Sequence, residues 1–243
     1  MVLSVPVQRS ATVALSLQEI LVSQLDATAS NLSNSTTSGF KRVLTQAREA
    51  KYQTGSSEKL SYVTLVNVNH DFSPGALKLT NNTYDMAITG DGFFQLAGGK
   101  LTQNGQFHLD NQGKIVAPDG GALLSDGGGE ILIPAASKFV TINPNGTISN
   151  QNGVIGKIGL FTVPNKETLQ YTKDGYYLSS EDIIQSEKAT LHQGYLMESN
   201  VNAIEETIKL IEIQRRYEQA EKLLKESYSL ARDVVNVSSR SGM

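Results

Sequence analysis

Residues 202–237, NAIEETIKLIEIQRRYEQAEKLLKESYSLARDVVNV, decide the fold, because they run without a proline or a glycine. Apolar residues recur three and four positions apart along this stretch, which is the period of a helix that buries one side. They are Ile204, Ile208, Leu210, Ile211, Tyr217, Ala220, Leu224, Tyr228, Ala231 and Val235. Asn202 with Glu205 three residues later is typical of a capping box, in which each side chain binds a free backbone N–H. We therefore predict a long C-terminal helix.

The opposite side of this helix is charged. Four acids each precede a base by four residues, in the pairs Glu205–Lys209, Glu212–Arg216, Glu218–Lys222 and Glu221–Lys225. This is the favourable orientation, and each pair adds about 0.2–0.5 kcal/mol to a helix. The charges predict a face that meets solvent.

A second apolar stripe near the N-terminus has a different chemistry. Its members are Leu17, Ile20, Leu21, Leu25 and Leu32. The only charges between Ser10 and Ser38 are Glu19 and Asp26, and the many Ser, Thr and Asn residues lower the intrinsic helix propensity. We expect a helix whose first turn follows Pro6. It should be mobile in the free monomer and ordered only when it packs against the other terminus or a neighbouring copy.

Between the two helices the sequence predicts short β-strands. The predicted strands are residues 62–68, 84–89, 93–97, 106–109, 113–116, 130–133, 139–143 and 155–163. Asn-Gly and Asp-Gly pairs separate several of them and favour tight hairpin turns. Strands at this spacing without helices between them indicate an antiparallel sandwich or an irregular barrel.

The fold class predicted for the whole chain is α+β, with long helices at both ends and a central, mostly antiparallel β domain. We divide the chain into an N-terminal helix with the turn that follows it (1–42), an irregular or β arm (43–75), a central β domain (76–190) and a C-terminal helical segment (191–243). The composition changes near residues 38–42 and 191–194, which mark the two boundaries between helix and β core.

Composition and charge exclude several classes of protein. A net charge of −3 gives no electrostatic footprint for nucleic acid, and the absence of cysteine excludes disulfide and thiolate metal sites. No apolar run reaches the ~20 residues that span a bilayer, so we expect no direct membrane insertion. The N-terminus lacks the features of a cleaved secretory signal. If the protein works outside the cytoplasm, we expect export by a route that needs no such signal.

No residue pattern predicts catalysis, a cofactor or a metal. The three histidines, His70, His108 and His192, lie in separate segments. The Gly-Asp-Gly at residues 90–92 is followed by strand residues rather than by the Lys-Ser/Thr of a phosphate loop. Residues 126–130, Asp-Gly-Gly-Gly-Glu, lack the alternating oxygen ligands of an EF-hand. The three phenylalanines at positions 93, 94 and 107 are interpreted as core residues.

Three sets of motifs, in order along the chain, resemble those of flagellar rod and hook proteins. The first comprises Ala14-Leu15-Ser16, Gln24-Leu25-Asp26, Asn31-Leu32-Ser33-Asn34 and Thr37-Ser38-Gly39-Phe40-Lys41, with Ser38 where the family has a threonine. The second comprises residues 80–82, 85–94 and 101–110. The third comprises Gly194-Tyr195-Leu196, Ser199-Asn200-Val201-Asn202 and residues 211–218. Length and the single modest arm favour a proximal-rod member, with a distal-rod or hook member as the alternative.

The resemblance implies a structural subunit of the bacterial flagellar basal body and no enzyme. Proteins of this family form the axial drive shaft across the periplasm and leave the cell through the flagellar type III export apparatus without a cleaved signal. Their terminal helices form a coiled-coil layer around a channel, with the β domain outside. The expected partners are copies of this chain, other rod proteins and the export apparatus, with no cofactor.

The candidate assembly residues follow from the two helical stripes and the motifs. They are Leu17, Ile20, Leu21, Leu25, Asn31, Leu32, Asn34, Gly39, Phe40, Asn200, Val201, Asn202, Ile204, Ile208, Ile211, Gln214, Arg215, Tyr217 and Leu224. The asparagines and glycine at positions 31–39 either define the exit from the first helix or simply form a turn. The polar residues at 214 and 215 either contact a neighbouring subunit or face solvent.

Two other classes stay open at this point. A β-sandwich adhesin or secretion-system subunit would be expected to carry a cleavable signal. A polysaccharide-acting enzyme would need two carboxylates in a cleft, about 5–10 Å apart, for which Asp85 and Asp91 are the candidates.

Overall fold

The computed structural model describes residues 4–53, 59–172 and 174–240, and it has the predicted α+β class. Over these residues the chain forms two α-helices and a set of antiparallel strands. The chain divides into two compact units. Unit 1 comprises Met1–Ser33, Val43–Asp71 and Asn202–Met243, and unit 2 comprises Asn34–Arg42 and Phe72–Val201.

Unit 1 contains helix α1 (Ser4–Ser33), helix α2 (Ala203–Arg240) and strands β1 (Val43–Gln53) and β2 (Lys59–His70). The helices pack side by side, and the end of α1 meets the start of α2, so they run antiparallel. Because α1 begins at Ser4, the expectation that Pro6 precedes the first turn is wrong. Proline is tolerated in a first turn because the backbone N–H groups there have no partner within the helix.

Helix α2 begins with the predicted cap. Asn202 Oδ1 accepts hydrogen bonds from the N–H groups of Ile204 (3.1 Å) and Glu205 (3.4 Å), and Asn202 Nδ2 donates to Glu205 Oε1 (3.3 Å). Of the predicted charge pairs, Glu221–Lys225 forms at 2.6 Å. Lys209 binds Glu206 instead of Glu205, whose carboxylate is engaged by the cap.

The arm at residues 43–75 contains a long β-hairpin. Strands β1 and β2 pair antiparallel from Val43↔His70 to Gln53↔Lys59, and a register shift between Gln46 and Ala47 interrupts the ladder. Both strands also contact α1 within unit 1. The ladder is therefore far more regular than the polar sequence of this segment suggests.

Unit 2 consists of short strands and turns. The strands are β3 (Leu77–Leu79), β4 (Met86–Thr89), β5 (Phe93–Leu96), β6 (Lys100–Thr102), β7 (His108–Leu109), β8 (Ile115–Val116), β9 (Thr141–Ile142), β10 (Thr147–Asn150), β11 (Gly153–Lys157), β12 (Leu160–Thr162), β13 (Gln170–Tyr171), β14 (Tyr177–Leu178), β15 (Ile184–Gln185), β16 (Thr190–Gln193) and β17 (Tyr195–Met197). One sheet has the order β13-β14-β6-β5-β12-β15, and another has the order β11-β10-β9. The pairs β16-β4, β17-β3 and β7-β8 complete the set, and every pairing is antiparallel.

Two predicted strands differ in the structure. Residues 130–133 pair only through the single bridges Leu124↔Glu130 and Lys114↔Leu132. The strand predicted at 155–163 is broken into β11 and β12 around Gly159, where an added Cβ would lie 2.9 Å from the carbonyl oxygen of Ser125. The two parts pair with different neighbours, β11 with β10, and β12 with β5 and β15.

The core of unit 2 lies on both faces of β5. Neighbouring strand residues point to opposite faces, so Phe93 and Phe94 enter separate clusters. Phe94 packs edge-on against Phe107 with ring centroids 5.0 Å apart, and Phe93 does the same with Tyr177 at 5.7 Å. The three phenylalanines are almost fully buried, which confirms their interpretation as core residues.

The β structure extends beyond the boundary at residues 191–194. Strands β16 and β17 pair with β4 and β3, and α2 starts only at Ala203. The last motif of the sequence therefore spans the end of unit 2 and the start of the helix.

Candidate assembly surface

One side of α2 is buried against α1. Residues Glu206, Ile213, Ala220 and Ser227, seven positions apart, are all buried. We call the apolar cluster between the two helices the helix seam; it consists of Leu17, Leu21, Leu25, Ile213, Tyr217 and Ala220. Apolar burial at a seven-residue spacing is how two helices keep one contact line along their length.

The opposite side of α2 begins with an exposed apolar patch. Ile204, Ile208 and Ile211 have exposed fractions of 73%, 54% and 47%. We call these three residues the isoleucine face. A residue advances about 100° around an α-helix, so Ile211 lies about 160° from Ile213 of the seam. The first turns of α2 are therefore apolar on two sides, and only one of them is covered within unit 1.

Helix α1 also exposes apolar side chains. Leu15 and Val22, seven residues apart, are about half exposed. We call them the flank of α1, since Val22 follows Leu21 directly and lies about 100° from the seam. The charged neighbours Glu19 and Asp26 are themselves exposed. They follow Leu15 and Val22 by four residues and lie on the same side of the helix, so a partner that covered this flank would also meet these two carboxylates.

A buried polar junction holds the end of α1. Asn31 Oδ1 accepts a hydrogen bond from the N–H of Val43 at 2.7 Å, and Asn31 Nδ2 donates to the Val43 carbonyl at 3.0 Å and to Glu206 Oε2 at 3.1 Å. Lys209 Nζ donates to Glu206 Oε1 at 3.2 Å. The junction joins the end of α1, the first residue of β1 and the first turn of α2.

Unit 2 has a polar junction of its own. The Ser73 carbonyl accepts from Lys41 Nζ at 2.9 Å and from Asn200 Nδ2 at 3.1 Å. Asn200 Oδ1 accepts from the N–H of Arg42 at 2.8 Å. Lys41 is almost fully buried, with Met197 Sδ 3.5 Å from its ammonium group. The Ser73 carbonyl thus links Lys41 of the first sequence motif to Asn200 of the third.

Gly39 is required by the geometry of this region. Its φ is +72°, and an added Cβ would lie 2.3 Å from the carbonyl oxygen of Gln103. Its N–H donates to the Met197 carbonyl at 2.8 Å. The next residue, Phe40, is buried and packs edge-on against Tyr171 at 6.2 Å. The motif ending in Gly-Phe-Lys therefore anchors the segment after α1 to unit 2.

The predicted assembly residues fall into three groups. Buried or half-buried in unit 1 are Leu17, Ile20, Leu21, Leu25, Asn31, Leu32, Tyr217 and Leu224. Buried or half-buried in unit 2 are Asn34, Gly39, Phe40, Asn200 and Val201. Exposed on α2 are Asn202, Ile204, Ile208, Ile211, Gln214 and Arg215. Whether any of them contacts another subunit stays a prediction.

Sequence reasoning missed three residues of these junctions. Glu206 is not among the predicted residues, Ser73 lies only within the predicted arm, and Lys41 belongs only to a motif. A signal for Glu206 is present, because it starts the seven-residue series that continues through Ile213 and Ala220. No comparable signal marks Ser73, which takes part through its carbonyl and hydroxyl oxygens.

The titratable groups of unit 2 serve packing and turns. Burial raises the pKa of Tyr176 and of Tyr177, and for Tyr176 the carboxylate of Asp119 adds to the effect. The backbone N–H of Lys114 lowers the pKa of Asp110 by hydrogen bonding to its carboxylate. Within the described ranges no three His, Asp or Glu side chains form a metal-binding cluster.

The other candidate sites are occupied by local contacts. Asp85 accepts a hydrogen bond from Asn82 at 3.0 Å, and Asp91 pairs with Lys166 at 2.7 Å. Asp126 pairs with Lys157 at 3.6 Å beside the glycine turn. Neither helix, over the residues described, contains an apolar window long enough to cross a bilayer.

The chain is similar to known flagellar proteins along most of its length. Residues 87–150 match the model of the flagellar hook protein FlgE/F/G D1 domain, and residues 192–237 match that of the flagellar basal body rod FlgEFG protein C-terminal region. The flagellar basal-body rod protein FlgF of Caulobacter vibrioides is 36% identical over 233 residues, which cover 92% of this chain and 95% of that protein. The chain belongs to the flagellar basal-body rod protein family.

Within the rod protein family the chain is more similar to FlgF than to FlgG proteins. FlgF of Rhizobium meliloti is 33% identical over 226 residues (88% of this chain, 91% of that protein). FlgG of Bacillus subtilis is 28% identical over 247 residues (88% and 93%). The resemblance found in the sequence motifs is confirmed. In this rod protein the D1 match lies within unit 2, and the C-terminal match runs from β16 along α2.

Proposed function

We propose that this chain is a subunit of the flagellar basal-body rod that joins the axial shaft through its two terminal helices. Membership in the rod protein family makes it a structural protein of the basal body and not an enzyme. Other axial positions, distal rod or hook, have no observation in their favour. The proximal position is supported by the greater identity to FlgF proteins.

The observation that carries the proposal is the isoleucine face. Three isoleucines on consecutive turns of α2 are exposed, while the seam on the other side of the same helix is already filled. Covering an apolar side chain of this size stabilises a complex by about 1.5–3 kcal/mol. A face of this kind on a rod protein is explained by a neighbouring subunit that covers it.

The flank of α1 is a suitable partner for that face. Leu15 and Val22 are exposed apolar side chains, and Glu19 and Asp26 on the same side of the helix are the only charges between Ser10 and Ser38. A contact between the isoleucine face of one copy and the α1 flank of the next uses two different surfaces. Such a heterologous contact produces a helical assembly when it does not close into a ring.

The seven-residue burial along α2 supports a coiled-coil layer. The series from Glu206 to Ser227 has the spacing of helices that wind around each other. In the assembled shaft the terminal helices would form this layer and the β domain would lie outside it. The partners would be copies of this chain and other rod proteins.

The proposal also covers how the chain is exported and where it assembles. Export through the flagellar type III apparatus and assembly in the periplasm follow from the resemblance of the three motifs to rod and hook proteins. Family membership supports the basal body as the destination.

The test compares two substitutions at equally exposed apolar positions. Ile204 is 73% exposed on the isoleucine face, and Val154 is 74% exposed on β11 of unit 2. We expect Ile204→Glu to fold, since an acid in the first turn suits the helix dipole, yet to be missing from isolated basal bodies. Val154→Glu should be incorporated like the wild type. Normal incorporation of Ile204→Glu would contradict the proposal.

A further inference from the structure

The two polar side chains that join the helices are unusually well buried. Asn31 and Glu206 are each 2% exposed, and their side chains are bonded at 3.1 Å. They lie at the level where the last turn of α1 meets the first turn of α2. A buried polar pair between helices adds little stability compared with an apolar pair, so its position calls for another explanation.

The rest of the contact between α1 and α2 defines their alignment weakly. The buried positions of α1 include Ala14 and Thr28, and those of α2 include Ala220 and Ser227. These side chains are small, and the larger side chains of the contact, such as Leu21 and Ile213, are apolar. Apolar contact is non-directional and repeats here every seven residues, so a shifted alignment would again bring buried positions together.

We propose that the hydrogen bond between Asn31 and Glu206 sets the register of α1 against α2. A slide by one turn or one heptad moves the two residues about 5–10 Å apart along the helix axes. In the shifted state the Asn31 amide and the Glu206 carboxylate stay buried but are no longer bonded to each other. This raises the free energy of the shifted state without stabilising the native alignment. The Asn31–Glu206 pair therefore selects one alignment of α1 against α2 among several that would make similar apolar contacts.

The other bonds of the junction allow this role to be isolated. Asn31 Nδ2 also donates to the Val43 carbonyl, and Asn31 Oδ1 accepts from the Val43 N–H. A change at Glu206 thus removes the bond between the helices and leaves the asparagine bonded to β1. Glu206→Leu tests the register, and Glu206→Gln keeps an oxygen that accepts from Asn31.

The experiment measures the distance between α1 and α2 in the full chain. The sequence has no cysteine, so Asp26→Cys with Ser229→Cys provides two unique, exposed sites for spin labels. These sites are staggered along the helix axes, so a slide of one helix against the other changes the distance between them. Pulsed electron resonance at low protein concentration gives the distance distribution within one molecule. We expect one narrow distance in the parent and in Glu206→Gln, and a second population shifted by about 5–10 Å in Glu206→Leu.

Each result decides the question. Ile213→Val, a conservative change at a buried position one heptad from Glu206, is the control and should keep the single distance. An unshifted, single distance in Glu206→Leu would overturn the proposal. So would a loss of helical circular dichroism in Glu206→Leu, because the carboxylate would then stabilise the helices and not select their alignment.

Discussion

The side chain of Asn31 binds both backbone groups of Val43, accepting from its N–H at 2.7 Å and donating to its carbonyl at 3.0 Å. Val43 is the first residue of β1. The amide side chain therefore takes the place of a strand partner at the start of the hairpin. One residue of the helix fixes where the arm begins.

Asn31→Ala should destabilise unit 1 by about 2–4 kcal/mol, because three hydrogen bonds are lost and the Val43 groups lose a buried partner. Urea denaturation followed by circular dichroism at 222 nm measures this loss. Gln24→Ala, a half-buried change on the same helix, is the control and should cost less than about 0.5 kcal/mol. Equal losses of stability in the two variants would show that the junction contributes no more than an ordinary half-buried side chain.

Gly39→Ala should cost at least about 2 kcal/mol, since a side chain at φ +72° is strained and the new Cβ meets the Gln103 carbonyl at 2.3 Å. The matched control is Gly98→Ala, which has φ +86° and open space around the new Cβ. Gly98→Ala should therefore lose only the free energy of placing a side chain at positive φ, about 1 kcal/mol. Thermal unfolding of unit 2, followed in the aromatic circular dichroism, compares the two. A smaller loss for Gly39 than for Gly98 would contradict the close-contact explanation.

Sequence reasoning predicted both helices and eight of the seventeen described strands, because their periods and turn residues are local properties. It did not separate the two stripes of α2. Ile204, Ile208 and Ile211 and the seam residues Ile213 and Tyr217 all recur at helical spacing, and only the position of α1 decides which set is covered.

The hairpin and the buried junctions depend on contacts distant in sequence. Strand β1 carries Gln, Arg, Glu and Lys and shows little alternation, so its pairing with β2 is visible only in the folded chain. Glu206 and Lys41 have the residue types of a solvated surface. Their burial follows from partners 175 and 32 positions away, Asn31 and Ser73.

Leu25→Glu should prevent incorporation into the rod while unit 2 still folds. Leu25 packs in the helix seam, where a carboxylate would be buried without a partner. Basal-body fractionation measures incorporation, and protease resistance of the β core reports the fold of unit 2. Phe139→Glu, at a 76% exposed position of unit 2, is the control that should still assemble. Incorporation of Leu25→Glu at the level of the control would refute the packing of this stripe.

Stability should fall as the pH rises above about 10, the ordinary pKa of tyrosine. Burial raises the pKa of Tyr177 in the folded state, so the folded protein holds the phenol proton more tightly than the unfolded chain. The raised pKa therefore stabilises the folded state fully below pH 10, and this stabilisation is lost as the pH rises above 10. Denaturation at pH 8 and near pH 11 measures the drop, which Tyr177→Phe should reduce. Tyr228→Phe, at an exposed position, should leave the drop unchanged; an equal drop in all three proteins would remove Tyr177 as its source.

Hydrogen exchange in dilute solution should separate the two units. The central strands β5 and β8 are fully buried or nearly so, whereas the helix seam, as far as its side chains are described, has three buried and three partly buried residues. Opening free energy follows buried apolar contact, so the helices should exchange faster than β5 in the monomer. At concentrations where the wild type associates, the helices should gain protection, and Ile204→Glu should not, because its isoleucine face is broken. Helices as protected as β5 in a dilute monomer would show that they need no partner to become ordered.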